Sequence, residues 1–196
     1  MGEAENRGKG PETRKSVISA EFDARNLRPE FKNVATDEIR RILAARRRKF
    51  SVLAINTEND FNLGSILRSH NAFLGSHFYY LGQKRYYKPG TVGTHHYEPI
   101  TYLENFEVAR EKIPGDHIWV GVDNAPNAIS LQNFDWPENP LIVLGNEHEG
   151  LDFCPELKYH CKYVVAIPQL GSVRSLNVAV AAGIVLYDLC LQQGWL

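Results

Sequence analysis

No stretch of this 196-residue chain is long and apolar enough to span a bilayer. The longest apolar run, Val178 to Leu186, has nine residues, and a spanning helix needs about 20. The opening residues, MGEAENRGKGPETRK, are polar and charged, unlike a secretory leader. Cysteine is scarce. Cys154, Cys161 and Cys190 form an odd set with no CxxC, so the expectation is reduced thiols in the cytoplasm rather than a disulfide framework. A zinc site made from Cys154, His160 and Cys161 would lack the usual paired ligands. Several chemical signatures are also missing. There is no GxxxxGK[ST] and no GxGxxG, so P-loop and dinucleotide-binding readings have no anchor. There is no GxSxG and no Cys/His pairing with triad character.

Net charge is nearly absent too, at −1, but the balance is uneven. Residues 1–50 carry 13 Lys and Arg against 8 Asp and Glu, and the remainder carries 9 against 15. The densest cluster is Arg40, Arg41, Arg46, Arg47, Arg48 and Lys49. A basic arm on an acidic body suits a polyanion partner. The plain alternative is a solvated helix face.

What the chain does contain reads as one α/β domain behind a short extension. Residues 1–20 are polar, rich in Gly and Lys and without periodicity, and are expected to be a disordered tail. Residues 21–50 form a basic helical arm, whose helix starts at Thr36 or Asp37 as N-cap and carries an apolar stripe of Ile39, Ile42, Leu43 and Ala45. Residues 51–196 form the main domain. Ser51–Asn56, His77–Leu81, His117–Val122, Leu141–Leu144 and Tyr163–Ile167 are short apolar runs bounded by turn signals, which predicts strands buried on both faces. Ile100–Leu103 is a candidate edge strand. Helices are expected from Asn62 until Gly75 stops the first, over Asn105–Lys112, and over Leu176–Leu191. Strands alternating with helices predict an α/β fold with a mostly parallel sheet.

Ligands in such sheets bind beyond the carboxyl ends of the strands. The runs ending at Leu144 and Ile167 therefore deliver Gly145, Glu147, Gly171, Ser175 and Asn177 to about the same place. Gly145 and Gly171 would let the backbone approach a ligand closely. A second feature is the loop GQKRYYKPGTVGTHHYEPI, where Lys84, Arg85 and Lys88 interleave with Tyr86, Tyr87, His95, His96 and Tyr97. Cations for phosphates beside flat rings for bases suit single-stranded RNA. The plain alternative is an ordinary loop with aromatics packed on the body.

Three clusters carry the chemistry: Asn59-Asp60-Phe61-Asn62-Leu63-Gly64-Ser65-Ile66-Leu67-Arg68, then Leu144-Gly145-Asn146-Glu147-His148-Glu149-Gly150-Leu151, then Ile167-Pro168-Gln169-Leu170-Gly171-Ser172-Val173-Arg174-Ser175-Leu176-Asn177-Val178-Ala179. In these, and over residues 51–193, the chain resembles the SpoU (TrmH-like) branch of the SPOUT RNA methyltransferases. The family motifs N-x-x-N-x-G-x-x-x-R, G-x-E-x-x-G and I-P-x-x-G-x-x-x-S-L-N-V occur in that order. The resemblance implies a deep C-terminal trefoil knot, an S-adenosylmethionine pocket formed by the knot loops, a homodimer packed through the last helix, and 2′-O-methylation of a ribose in tRNA or rRNA without a metal. Carried over by position, Leu144, Gly145, Ile167 and Leu176 would line the methyl-donor pocket. Asn62, Arg68, Glu147, Ser175 and Asn177 would form the polar catalytic set, with Arg68 as base or phosphate clamp. Arg174 departs from the neutral residue common there and is expected to touch RNA, together with Arg46, Arg47, Arg48, Lys84, Arg85 and Lys88. A non-catalytic RNA-binding protein on the same fold is the rival reading, and methylation of a base nitrogen is a third.

Overall fold

The computed structural model describes residues 23–56, 61–146 and 148–196. The chain divides into two units, Met1–Val34 and Ala35–Leu196. In the described part of the first, Arg25 forks onto the Asp23 carboxylate at 2.9 and 2.6 Å ahead of a single 3-10 turn, Pro29–Phe31. Among the described residues no helix is long and apolar enough to cross a membrane.

The second unit is built on seven strands: β1 (Arg48–Asn56), β2 (Gly75–Gly82), β3 (Ile100–Leu103), β4 (Ile118–Val122), β5 (Ile129–Ser130), β6 (Pro140–Leu144) and β7 (Tyr163–Ala166). They form one sheet in the order β3-β2-β1-β6-β4-β7-β5, and every pairing is parallel. Among the described residues five α-helices accompany it: α1 (Thr36–Ala44), α2 (Asn62–Ala72), α3 (Phe106–Lys112), α4 (Pro155–His160) and α5 (Val178–Gln192).

The apolar strand runs are explained by two cores. Along β1 and β6 alternate residues go to opposite faces. Val52, Ala54, Ile142 and Leu144 join Leu63, Ile66 and Leu67 of α2 and Ala182, Val185, Leu186 and Leu189 of α5. Leu53, Leu141 and Val143 join Ala109 of α3 and Leu157 of α4 in the other core. A central strand with a core on each face has no polar side to show, so β6 is buried along its whole length.

The expectation of a parallel α/β sheet held, with local differences. β1 starts at Arg48 rather than Ser51, and α5 runs from Val178 to Gln192. The N-cap of α1 is Ala35, without a side-chain cap, and Thr36 is already helical. The expected arm of residues 21–50 is split by the division at residue 34. Its helix belongs to the main unit, where Ile39 and Leu43 are buried. Gly75 does not stop α2. Leu74 takes the left-handed conformation at φ 59° and donates its N–H to Asn71, while Gly75 opens β2. A Cβ on Gly75 would lie 2.2 Å from Nε2 of His70, so glycine is required there by packing. α4 and β5 lie in segments where the sequence pattern marks no helix or strand.

A buried ionic cluster pins the end of the basic loop to this frame. The Glu98 side chain is fully buried and meets Arg47 Nη1 at 2.9 Å, His70 Nδ1 at 2.8 Å and the Asn71 amide. Arg47 also donates to the carbonyls of Gly75 and Tyr97. Burial pushes the Glu98 pKa up, but hydrogen bonding and charge from His70 and Arg47 outweigh it, and the net shift is downward. Removing one member of a buried pair strands the other charge. Glu98→Ala is therefore expected to cost about 3–5 kcal/mol, read as a lower urea midpoint with an unchanged slope.

Candidate active site

Three loops at the carboxyl edge of the sheet enclose a cavity of about 430 Å³. Asp123 and Asn124 follow β4, Gly145, Asn146, His148, Glu149 and Gly150 follow β6, and Ile167 and Gln169 follow β7. Arg174, Ser175 and Leu176 close it just before α5. This is the crevice outside the strand ends that the parallel topology predicts, and its volume lies in the range of ligand sites.

Each wall has a local cause. After β6 the chain folds back sharply: Asn146 and Gly150 exchange both backbone hydrogen bonds, at 3.1 and 3.2 Å. The Asn146 side chain accepts from the N–H groups of His148 and Glu149, at 3.2 and 2.7 Å. A Cβ on Gly145 would lie 2.1 Å from the carbonyl carbon of Gly150, so only glycine lets the two strands of this turn close. Gly150 itself sits at φ 61°, the left-handed region that favours glycine. The loop after β7 is tied across the cavity by Asn124, whose amide donates to the Arg174 carbonyl at 3.1 Å.

All four residues expected to line a donor pocket, Leu144, Gly145, Ile167 and Leu176, line this cavity, with Ser175 beside them. The mixture fits S-adenosylmethionine. Leu144, Ile167, Leu176 and Val178 are apolar surfaces for a flat base, and the Gly145 turn brings backbone close to the ligand space. Asp123, Asn124 and Asn146 also line it but have no counterpart in the sequence reading. Their signal was available: polar residues placed directly after a buried strand. At Gly171 no protein atom lies within 4 Å of where a Cβ would be, so packing within the chain does not require glycine there, and Gly171 is not among the residues lining the cavity.

The polar set divides. Asn177 caps α5, its Oδ1 accepting from Ala179 and Val180 at 3.0 and 3.3 Å, and its Nδ2 donates to Asn62 Oδ1 at 2.9 Å. The two asparagines are 115 positions apart in sequence, so the first and third motifs meet here. Arg68 is exposed on α2 and does not line the cavity. Glu147 lies outside the described residues, as do the loop 57–60 and the expected tail at 1–20.

Of the cations expected to meet RNA, Arg174 lines the donor cavity. Lys84, Arg85 and Lys88 are exposed, with Lys84 Nζ 5.7 Å over the Tyr102 ring. Arg46 is exposed, and Arg48 lies 5.6 Å over the Trp195 ring. Arg47 is a correction: its side chain is only 11 % exposed and holds the Glu98 cluster together, so it offers no surface charge. Arg40, Arg41 and Lys49 are paired with Asp37, Glu38 and Glu138. The dense basic cluster of the sequence is thus largely neutralised in place.

Residues 49–187 match the model of the SpoU rRNA methylase family. The chain belongs to that family. It is 30% identical over 156 residues to the tRNA (guanosine(18)-2′-O)-methyltransferase of Aquifex aeolicus, covering 76% of this chain and 72% of that one. It is 33% identical over 142 residues to an uncharacterized tRNA/rRNA methyltransferase of Synechocystis, but spans only 36% of that protein's length. Among solved structures, the A. aeolicus TrmH/SpoU tRNA modifying enzyme superposes with a TM-score of 0.71 at 25% identity, over 82% of this chain and 83% of that one. The SpoU methyltransferase AviRb of Streptomyces viridochromogenes, solved in complex with AdoMet, gives 0.64 at 30% identity, over 75% of this chain and 59% of that one. The SpoU motifs of this chain therefore sit on the SpoU fold, and two of them supply the cavity walls.

Proposed function

We propose that this SpoU family member transfers a methyl group from S-adenosylmethionine to a ribose 2′-hydroxyl of tRNA or rRNA. The observation that carries the reading is the Asn62–Asn177 hydrogen bond at the rim of the cavity, which joins the first motif to the third beside walls made from the second and third. Names of relatives support the RNA class: one similar chain is a tRNA ribose methyltransferase, and one similar structure holds AdoMet.

The donor supplies a methyl already activated on a sulfonium, so the protein chiefly positions the two reactants. Leu144, Gly145, Ile167 and Leu176 hold the donor, and no metal takes part. Asn62 and Asn177 fix the rim where the ribose is presented, and Ser175 lines the cavity two residues before Asn177. A guanidinium, with a pKa above about 12, is a poor base at neutral pH. Arg68 therefore acts as a clamp on an RNA phosphate and on the charge that develops at the 2′-oxygen. Glu147 completes the polar set of the second motif. The exposed Lys84, Arg85 and Lys88 hold the RNA backbone, joined by Arg46 and Arg174.

The knot follows from the same reading. Loops after β4, β6 and β7 crowd one end of the sheet, and the chain leaves β7 across the Asn124 tie. We also assign a homodimer. Val180, Ile184, Tyr187 and Leu191 repeat at helical spacing on α5 and are 39 to 57 % exposed, an apolar stripe suited to a second copy. Ile184→Glu is expected to convert a dimer into a monomer in sedimentation equilibrium; a monomeric parent protein would overturn the assignment. The cytoplasm, where such RNAs are matured and thiols stay reduced, is the compartment this reading requires.

Incubation with methyl-labelled S-adenosylmethionine and cellular RNA should place label in a 2′-O-methylnucleoside; label elsewhere would overturn the reading.

A further inference from the structure

A second cavity, about 810 Å³ and wide open, lies at the same carboxyl edge but over the other half of the sheet. It is walled by the tyrosines of β2, β3 and the basic loop, with Lys84, Arg85 and Lys88 beside them. Two of its rings are fixed in place by hydrogen bonds: the Tyr80 hydroxyl donates to the Lys84 carbonyl at 2.9 Å, and that of Tyr102 to the Gly82 carbonyl at 3.1 Å. Asn56, at the end of β1, holds the loop's first turn by donating to the carbonyls of Gln83 and Arg85. The cavity is thus a shaped feature of the frame, not a gap under a loose loop.

Its position relative to the donor cavity is set by α2. Tyr87 packs edge-on against Phe61 at 4.6 Å, and a Cβ on Gly64 would strike the Gly90 backbone at 2.5 Å. Phe61 and Gly64 flank Asn62, while Ser175, Leu176 and Val178 of the donor cavity flank Asn177. The Asn62–Asn177 bond is therefore the seam between the two cavities. The first-motif glycine, Gly64, is what lets the loop seat against α2 at this point.

We infer that the tyrosine-walled cavity receives an unstacked RNA base, with Tyr87 as its stacking platform, and so sets which nucleotide presents its ribose at the seam. Flat rings beside cations serve a splayed base and its phosphates. Tyr87 is half-buried, so its ring stays accessible from the cavity while Phe61 supports its edge. Nothing in the donor cavity performs this task, since its space is lined for a different ligand. The inference rests on the RNA methyltransferase reading and adds the substrate subsite to it.

The test uses the full chain and a single-stranded hexaribonucleotide with a central 2-aminopurine, whose fluorescence falls when it stacks on an aromatic ring. Binding of radiolabelled S-adenosylmethionine is measured alongside. The parent protein should quench the probe. Tyr87→Ala should lose the quench and bind about 10- to 100-fold more weakly, Tyr87→Phe should retain both, and all three should bind donor alike, which also reports that they are folded. A parent protein that does not quench, or a Tyr87→Ala variant that quenches and binds like the parent, would overturn the inference. Quenching that follows this pattern in a protein with no donor binding would uphold the base site and instead count against the methyltransferase reading.

Discussion

Replacing Arg68 with alanine is expected to stop methyl transfer while leaving donor binding untouched. Arg68 stands exposed on α2 and is not among the residues that line the donor cavity, so its loss removes no cavity wall. Its task in the proposed mechanism arises only when the phosphate and the 2′-oxygen are in place. Removing one group that stabilises developing charge costs about 10²- to 10³-fold in turnover. The fall should appear in turnover number at saturating donor and RNA, with donor affinity measured separately by calorimetry. Arg68→Lys should restore little, because a point charge does not reproduce the two-pronged grip of a guanidinium. Loss of donor affinity in Arg68→Ala would refute this division of roles.

The second large effect is predicted at Gly145. An alanine Cβ there would lie 2.1 Å from the Gly150 carbonyl carbon and 2.4 Å from its oxygen, both backbone atoms. The turn must open, and its opposite side forms a wall of the donor cavity. Overpacking of this kind costs about 1–3 kcal/mol, which corresponds to a loss of about 10- to 100-fold in donor affinity if the strain falls on the bound state. Gly171→Ala is the internal control: its Cβ meets no protein atom and Gly171 does not line the cavity, so the variant should bind donor like the parent protein. Equal donor binding by Gly145→Ala and the parent would show that the close approach of Gly145 to Gly150 has no part in shaping the pocket.

These two sites show how unevenly the structure can be read from residue order. The parallel sheet was legible because a strand with a core on each face must be apolar throughout, as Leu141 to Leu144 are. The short β5 and α4 were not, since Ile129–Ser130 is two residues long and PELKYH has no apolar stripe of its own. Gly75 looked like a helix stop because glycine commonly ends helices. Leu74 took the left-handed position instead, and His70 required the glycine. Arg47 looked like surface charge because its partner, Glu98, lies 51 residues away and only tertiary packing brings them together. The strand order, with β6 between β1 and β4, has no local signature at all.

The site was legible mainly through its motifs. Gly145 has a steric reason that spacing alone hints at, since Gly150 lies just across the turn. Gly171 belongs to an equally regular motif, yet no protein atom crowds its Cβ position. Asn177 shows that a capping role and a site role need not compete: one side chain caps α5 with its oxygen and reaches Asn62 with its nitrogen. The meeting of those two asparagines could be expected from a family resemblance but not from composition or periodicity.

The most direct test of the central claim is incubation of the full chain with methyl-labelled S-adenosylmethionine and total cellular RNA, followed by nuclease digestion and separation of nucleosides. The account predicts label in a 2′-O-methylnucleoside, entering about 10²- to 10³-fold more slowly with Arg68→Ala. Label on a base nitrogen would contradict the assignment to ribose. Absence of label together with absence of donor binding would contradict the enzyme itself and leave an RNA-binding protein on a SpoU fold.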